Sequence, residues 1–219
     1  MKKTIILITL MLISIVSWSQ VSYGVRAGMS LSAYDLPYSN YLFKPSFNVG
    51  AIADIPIASS KFSFVPGLYF ADKGSKDKGL YLADYISQDH FYYNSTLSDY
   101  QLELPLLFTY KILINKNITL KPQLGLFVSY SIYSKFEETR DYIKIVEESH
   151  DYVSYSYVSA SYYVYNFGAN AGISVFYNKF SFTYSCDFGY SSSMRPSKYF
   201  EIGGYYPDIC MYFTLGYNF

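Results

Sequence analysis

From residue 21 onward, apolar and polar residues alternate with a period of two, in eight separate stretches. In the first, Val21, Tyr23, Val25, Ala27, Met29 and Leu31 share one face, and Ser22, Gly24, Arg26, Gly28 and Ser30 share the other. Such alternation marks a strand with one apolar side. The pattern recurs over 47–57, 62–73, 100–112, 118–132, 163–177, 180–190 and 209–219. These stretches are about twice the usual 5–6 residues of soluble strands and match the roughly 9–11 that a tilted strand needs to cross a bilayer.

The connections alternate too. Long segments at 32–46, 74–99, 133–162 and 191–208 are separated by short turns. Short turns on one side and long loops on the other fit a barrel crossing an outer membrane, with both chain ends on the periplasmic side. Unpaired backbone groups are too costly in lipid, so the sheet must close. The predicted fold class is all-β: an eight-stranded antiparallel up-and-down transmembrane β-barrel with long extracellular loops and short periplasmic turns. A soluble lipocalin-like barrel would turn the polar faces, with their glycines, to water.

Nine of the 13 glycines (24, 28, 50, 67, 125, 168, 172, 189 and 216) fall on the polar face of a predicted strand. In a barrel that face lines the lumen, where small residues make room for Arg26, Tyr69, Phe127, Phe176 and Tyr212. Pro56, Pro66, Pro105 and Pro122 sit inside predicted strands, where each removes a ladder donor. Bulges or a position near the periplasmic rim are expected there.

The N-terminus reads as a targeting segment. Met1-Lys2-Lys3 is basic, Thr4 to Val16 is apolar, and Ser17-Trp18-Ser19 offers small residues before Gln20. This is the pattern of a secretory signal peptide, and the apolar run is short of the ~20 residues of a membrane anchor. Residues 1–19 are expected to be removed, leaving 20–219 as the barrel domain. Losing Lys2 and Lys3 from a chain with 17 basic and 17 acidic residues leaves a formal charge of −2. It also removes Trp18, the one tryptophan.

Composition narrows the functional classes. Aromatics make up 21% and charged residues 16% of the chain, which excludes a disordered protein. A balanced charge argues against a nucleic-acid partner. Metal and enzyme chemistry find little support. His90 and His150 lie in different predicted loops, and Asp72 and Asp77 have three lysines around them, Lys73, Lys76 and Lys78. Cys186 falls on the lipid face and Cys210 on the lumen face of neighbouring strands, so no disulfide is expected. No cofactor is expected, and no catalytic residue is assigned: barrel enzymes need a histidine held beside a nucleophile or water.

Two groups of residues remain as candidates. The lumen charges Arg26, Asp54, Lys73, Glu103, Lys111, Lys121 and Asp187 could line an ion path. They could equally form a plug of paired charges, because an eight-stranded interior is just wide enough for side chains to fill. Their near-balanced signs favour the plug, with Arg26 expected to pair with Glu103 or Asp54. The second group is the loop aromatics Tyr81, Tyr85, Phe91, Tyr92, Tyr93, Tyr142, Tyr152, Tyr155, Tyr157, Tyr205 and Tyr206. They read either as a surface for an extracellular ligand or protein, or as residues that pack together, with 133–162 extending the strands as a hairpin. Outward aromatics near both rims, such as Tyr23, Tyr110, Phe70 and Tyr100, are expected to be interfacial girdles.

The chain ends in an alternating strand, Met211-Tyr-Phe-Thr-Leu-Gly-Tyr-Asn-Phe219. It resembles the terminal signal of outer-membrane proteins read by the barrel-assembly machinery, with Tyr217 and Phe219 as its aromatic positions. This end, Tyr23-Gly-Val-Arg-Ala-Gly-Met-Ser-Leu-Ser, Tyr100-Gln-Leu-Glu-Leu-Pro-Leu-Leu and Lys121-Pro-Gln-Leu-Gly together resemble the PorT-like outer-membrane β-barrel domain family of Gram-negative bacteria. The resemblance implies fold and membrane location, with outer-membrane lipids as surroundings, and brings no catalytic residues. The expected function is that of a non-catalytic surface barrel with a filled lumen and binding loops; the alternative is a small channel for ions or solutes.

Overall fold

A computed structural model describes residues 21–34, 41–58, 60–82, 90–146, 149–160, 163–194 and 204–219. The expected signal segment 1–19 and Tyr85 lie outside them.

The strands in chain order are β1 (Ser22–Tyr34), β2 (Tyr41–Leu42), β3 (Lys44–Pro56), β4 (Phe62–Leu82), β5 (His90–Tyr110), β6 (Ile112–Leu113), β7 (Ile118–Val146), β8 (Ser149–Ala160), β9 (Tyr163–Tyr177), β10 (Phe180–Met194) and β11 (Gly204–Asn218). Among the described residues, eight long strands close a ring of antiparallel neighbours in the order β1-β3-β4-β5-β7-β9-β10-β11, with β11 back on β1. Met29↔Phe213 and Met29↔Phe47 show β1 bridging its two partners. Closure leaves no sheet edge within the bilayer.

The turns at the periplasmic end are short for local reasons. Between β9 and β10 only Asn178 and Lys179 intervene, and Asn178 has a positive φ of 56°. Asparagine tolerates that conformation, which two-residue hairpin turns favour. Before β7, the Asn115 side chain accepts from the backbone N–H groups of Asn117 (2.9 Å) and Ile118 (2.8 Å).

The faces are inverted relative to a soluble protein. Outward residues are large, apolar and exposed, such as Leu126 at 65% and Leu215 at 69%. A belt this extensive far exceeds the few hundred Å² of apolar patch usual for a soluble monomer; it needs lipid. Aromatics ring the outer rim from strand to strand: Phe47 to Phe70 at 6.1 Å, Phe70 to Tyr100 at 6.1 Å and Tyr100 to Tyr133 at 6.0 Å between centroids. At the periplasmic rim Tyr217 meets Phe180 at 5.2 Å and Phe219 at 5.7 Å. The interior is mostly polar, with Lys73, Asp99, Gln101 and Asp187 all fully buried.

Three expectations change. For the prolines the bulge reading falls, since Pro66 stands opposite Leu106, Pro105 opposite Phe127 and Pro122 opposite Ile173, while Pro56 ends β3 beside the short turn, as the rim reading has it. The register shift lies instead between Tyr100 and Gln101, which face Tyr133 and Ser131 and leave Ile132 as the extra residue. That bulge exchanges the faces of β7, so Ser134 rather than Tyr133 points inward. Finally, most of 74–99 is strand rather than loop, and most of 133–162 extends the strands as a hairpin, the second of its two readings. The β4–β5 hairpin holds one register from Phe62↔Tyr110 to Leu82↔His90. β7 keeps one register along β9 and then β8, from Ile118↔Tyr177 to Val146↔Ser149.

Candidate functional site

The barrel interior is filled in layers. At its centre Lys73 of β4 meets Glu103 of β5 at 2.6 Å and Asp187 of β10 at 3.0 Å. The Tyr212 hydroxyl of β11 lies 3.0 Å from a carboxylate oxygen of each acid. Asn170 donates to the second Asp187 oxygen at 2.6 Å. The Lys73 ammonium also lies 4.7 Å from the ring centroid of Phe127 on β7. Side chains from four other strands therefore converge on one cation. Cation–π contact and two carboxylates together offset the cost of burying it.

Glycines make this convergence possible. Phe127 lies across β9 and β10, where a β-carbon on Gly168 or Gly189 would come within 2.9 Å of its ring. Tyr69 covers Gly50 and Gly67 in the same way, at 2.6 and 2.8 Å. Arg26 fills the space over Gly24 and Gly216, with its Cζ 2.7 Å from a β-carbon placed on Gly216.

Toward the periplasm Lys121 pairs with Asp54. Arg26 pairs with neither expected acid: its guanidinium donates to Asn218 at 2.8 Å and to the Val25 carbonyl at 3.0 Å. Asp54 is held instead by Lys121 through one oxygen, and Glu103 by Lys73. Lys111 is a second correction, because it is exposed at the periplasmic rim and outside the lumen. A cavity of about 60 Å³ lies here among Arg26, Asp54, Glu103, Lys121 and Tyr212. It has room for a few waters.

Toward the outside the lumen closes a second time. Asp99 accepts from Ser131, Gln101, Ser134 (2.6 Å) and Tyr34 (3.3 Å). After Ala71, β4 leaves β3 and crosses the mouth. Ser32 of β1 hydrogen-bonds both the N–H and the carbonyl of Gly74 at 2.9 Å, and Lys44 binds Asp72 at 2.5 Å. Gly74 has φ 144°, and a β-carbon there would collide with the Leu97 carbonyl. Lys44, Asp99 and Asp208 escaped the sequence reading because they lie just beyond the assigned strand ends. Their positions continue the inward parity of Asn48, Gln101 and Cys210, which was the available signal.

Above the outer rim β4, β5, β7 and β8 form a four-stranded sheet. Its rows include Tyr81-Phe91-Tyr142-Val153 and Gly79-Tyr93-Arg140-Tyr155. Tyr92 and Tyr152 stand opposite Asp141 and Ile143. Tyr157 of β8 stands opposite Glu138, and Tyr205 and Tyr206 of β11 stand opposite Ser192 and Ser191. All of these expected loop residues are therefore in strands. Lys135 donates to Glu137 at 2.5 Å, and that bond holds its ammonium above the usual lysine value.

Both histidines are likewise in strands, His90 opposite Ile143 and His150 opposite Ile145. Among the described residues no group of three His, Cys, Asp or Glu could hold a metal ion. Cys186 and Cys210 are free thiols.

Residues 17–195 match the family described as outer membrane protein beta-barrel domain. No curated protein matches the chain. Three solved structures are similar in fold. Neisserial surface protein A has 13% identity and a TM-score of 0.47, covering 91% of this chain and 99% of that one. Ail, the attachment invasion locus protein of Yersinia pestis, solved in complex with the heparin analogue sucrose octasulfate, has 14% identity and a TM-score of 0.41, covering 91% and 99%. The outer membrane protease OmpT from Escherichia coli has 13% identity and a TM-score of 0.40, covering 92% and 96%.

Proposed function

The chain belongs to the outer membrane protein beta-barrel domain family, and from that premise we propose that it is a non-catalytic surface scaffold whose standing extracellular sheet is its interaction surface. Family membership implies an outer-membrane location. Within the family we place it with the PorT-like members, on the motifs quoted above. Residues 1–19 direct export and are cleaved, and 20–219 form the barrel. Tyr217 and Phe219 present the terminal strand to the assembly machinery, and membrane lipids cover the apolar belt. The outward partner is an extracellular ligand or protein.

One observation carries this reading: Lys73, Glu103, Asp187, Tyr212 and Phe127 meet at the centre of the lumen. A conducting path would have to pass through a buried ion cluster rather than beside a charged wall. The alternative, a small channel, draws support from the 60 Å³ cavity, which lies on the periplasmic side of that cluster. The test is single-channel recording of refolded protein in a planar bilayer, after a heat-dependent gel shift has shown folding. A silent bilayer is expected. Reproducible conductance steps overturn the scaffold reading and make the lumen charges a selectivity filter.

A further inference from the structure

Among the described residues, β8 is an edge of the extracellular sheet. β8 pairs with β7 on one side, and no described residue pairs with its other side. In the barrel that side belongs to β10, which follows β9 up to Met194↔Tyr163. The nine residues 195–203 then connect β10 to β11, whose last pair is Ser193↔Gly204.

Natural edge strands are commonly protected by lysines, prolines, bulges or shortness. β8 reads Ser-His-Asp-Tyr-Val-Ser-Tyr-Ser-Tyr-Val-Ser-Ala over Ser149–Ala160, without lysine or proline. It is also nearly palindromic about Tyr155. A twofold axis there sets Tyr155 against Tyr155 of a second copy, Ser154 against Ser156, Val153 against Tyr157 and Tyr152 against Val158. Aromatic–aromatic, hydroxyl–hydroxyl and aromatic–β-branched pairs are the favourable cross-strand combinations. The one acidic residue, Asp151, meets Ser159, so no like charges oppose. A twofold through a residue also sets residues of equal parity opposite one another, as an antiparallel ladder requires.

We propose that the β8 edge pairs antiparallel with the β8 edge of a second copy of this chain, held in a facing membrane. Direction fixes the second half of that statement. β8 runs from the tip of the sheet toward its own membrane and continues the line of β9 into the barrel. Two copies in one membrane present β8 in the same sense. Antiparallel pairing therefore joins copies whose barrels point at each other, and the contact is a homotypic tether between two bilayers. Tyr155 stands about seven residues above the rim, so the bilayers would be held roughly 30–45 Å apart, allowing for strand tilt. This inference rests on the scaffold reading above and names the partner of its sheet.

The test uses outer-membrane vesicles from a host with truncated lipopolysaccharide, where the assembly machinery fixes the orientation. Two labelled vesicle populations are mixed, and clustering is followed by light scattering and electron cryomicroscopy. Wild-type vesicles are expected to cluster at the stated spacing. Ser154→Lys/Ser156→Lys vesicles oppose lysine to lysine and should cluster at least about tenfold more slowly with themselves. Ser154→Glu/Ser156→Glu vesicles should do the same with themselves. Mixing the lysine and glutamate variants should restore clustering, because position 154 faces 156. Dispersed wild-type vesicles, or lysine variants that cluster as fast as wild type, overturn the proposal. If wild-type vesicles stay dispersed while the planar bilayer is silent, only the homotypic partner falls. Conductance steps would remove the scaffold reading itself.

Discussion

The buried position of Lys73 supports a quantitative prediction. Its ammonium is wholly shielded and holds Glu103 at 2.6 Å and Asp187 at 3.0 Å. Lys73→Met keeps the length of the side chain and its contact with Phe127 but removes the charge. Two carboxylates then face the same Tyr212 hydroxyl with no cation between them. Breaking a buried pair in this way costs about 3–5 kcal/mol, whereas replacing the whole set by neutral groups is often close to neutral. The triple variant Lys73→Met/Glu103→Gln/Asp187→Asn should therefore recover most of the loss. The assay is urea unfolding in detergent micelles, followed by tyrosine fluorescence and by the heat-dependent gel shift. If the lumen were water-filled, the same pairs would behave as solvated ones, worth about 0–1 kcal/mol. A Lys73→Met loss under about 1 kcal/mol would refute the plug, as would a triple variant no more stable than the single one.

Other predictions follow from the same geometry. Gly189→Val should sharply lower the folded fraction on a gel-shift assay, because its β-carbon would press on Phe127, Asn166 and Asp208. Asn218→Ala should cost about 0.5–1.5 kcal/mol in urea unfolding, the range for one hydrogen bond, since Asn218 is the side-chain partner of Arg26. Lys135→Ala removes an exposed ion pair outside the membrane and should leave the unfolding midpoint unchanged, at low pH and at neutral pH alike. A water-soluble maleimide should label neither cysteine in the folded protein and both after denaturation, because Cys210 is fully buried and Cys186 faces lipid; mass spectrometry gives the count.

The barrel was legible because membrane strands carry a strong period-two pattern, and one face of that pattern collected the glycines. The number of long strands, the short turns and the inward side of each strand all came from that. The lumen partners were not legible. Alternation places Arg26, Asp54, Glu103 and Lys121 inside, but which of them meet depends on the stagger of strands around the ring. Arg26 stands opposite Gly216 and reaches the diagonal Asn218, so it takes an amide, while Lys121 reaches Asp54 across the lumen. A hairpin over 133–162 was one of two readings, and alternation did not decide between them because the bulge at Ile132 reverses the parity of β7. Past Ser134 the pattern also loses its contrast, since both faces of a sheet outside lipid can hold tyrosines and polar residues. Lys73, placed inside by parity alone, became the hub because four other strands bring side chains to it, a convergence that no single segment encodes.

The account holds that the barrel carries a sheet standing above the membrane as a rigid continuation of its strands. Spin labels at Lys61, in the periplasmic turn, and Lys78, in upper β4, test this directly by pulsed electron–electron resonance in nanodiscs. The two positions lie on one continuous strand, and about 3.3 Å per residue predicts a narrow distribution near 50 Å once the bend at the mouth is allowed for. A broad distribution centred below about 35 Å, as a collapsed loop lying over the mouth would give, would contradict it.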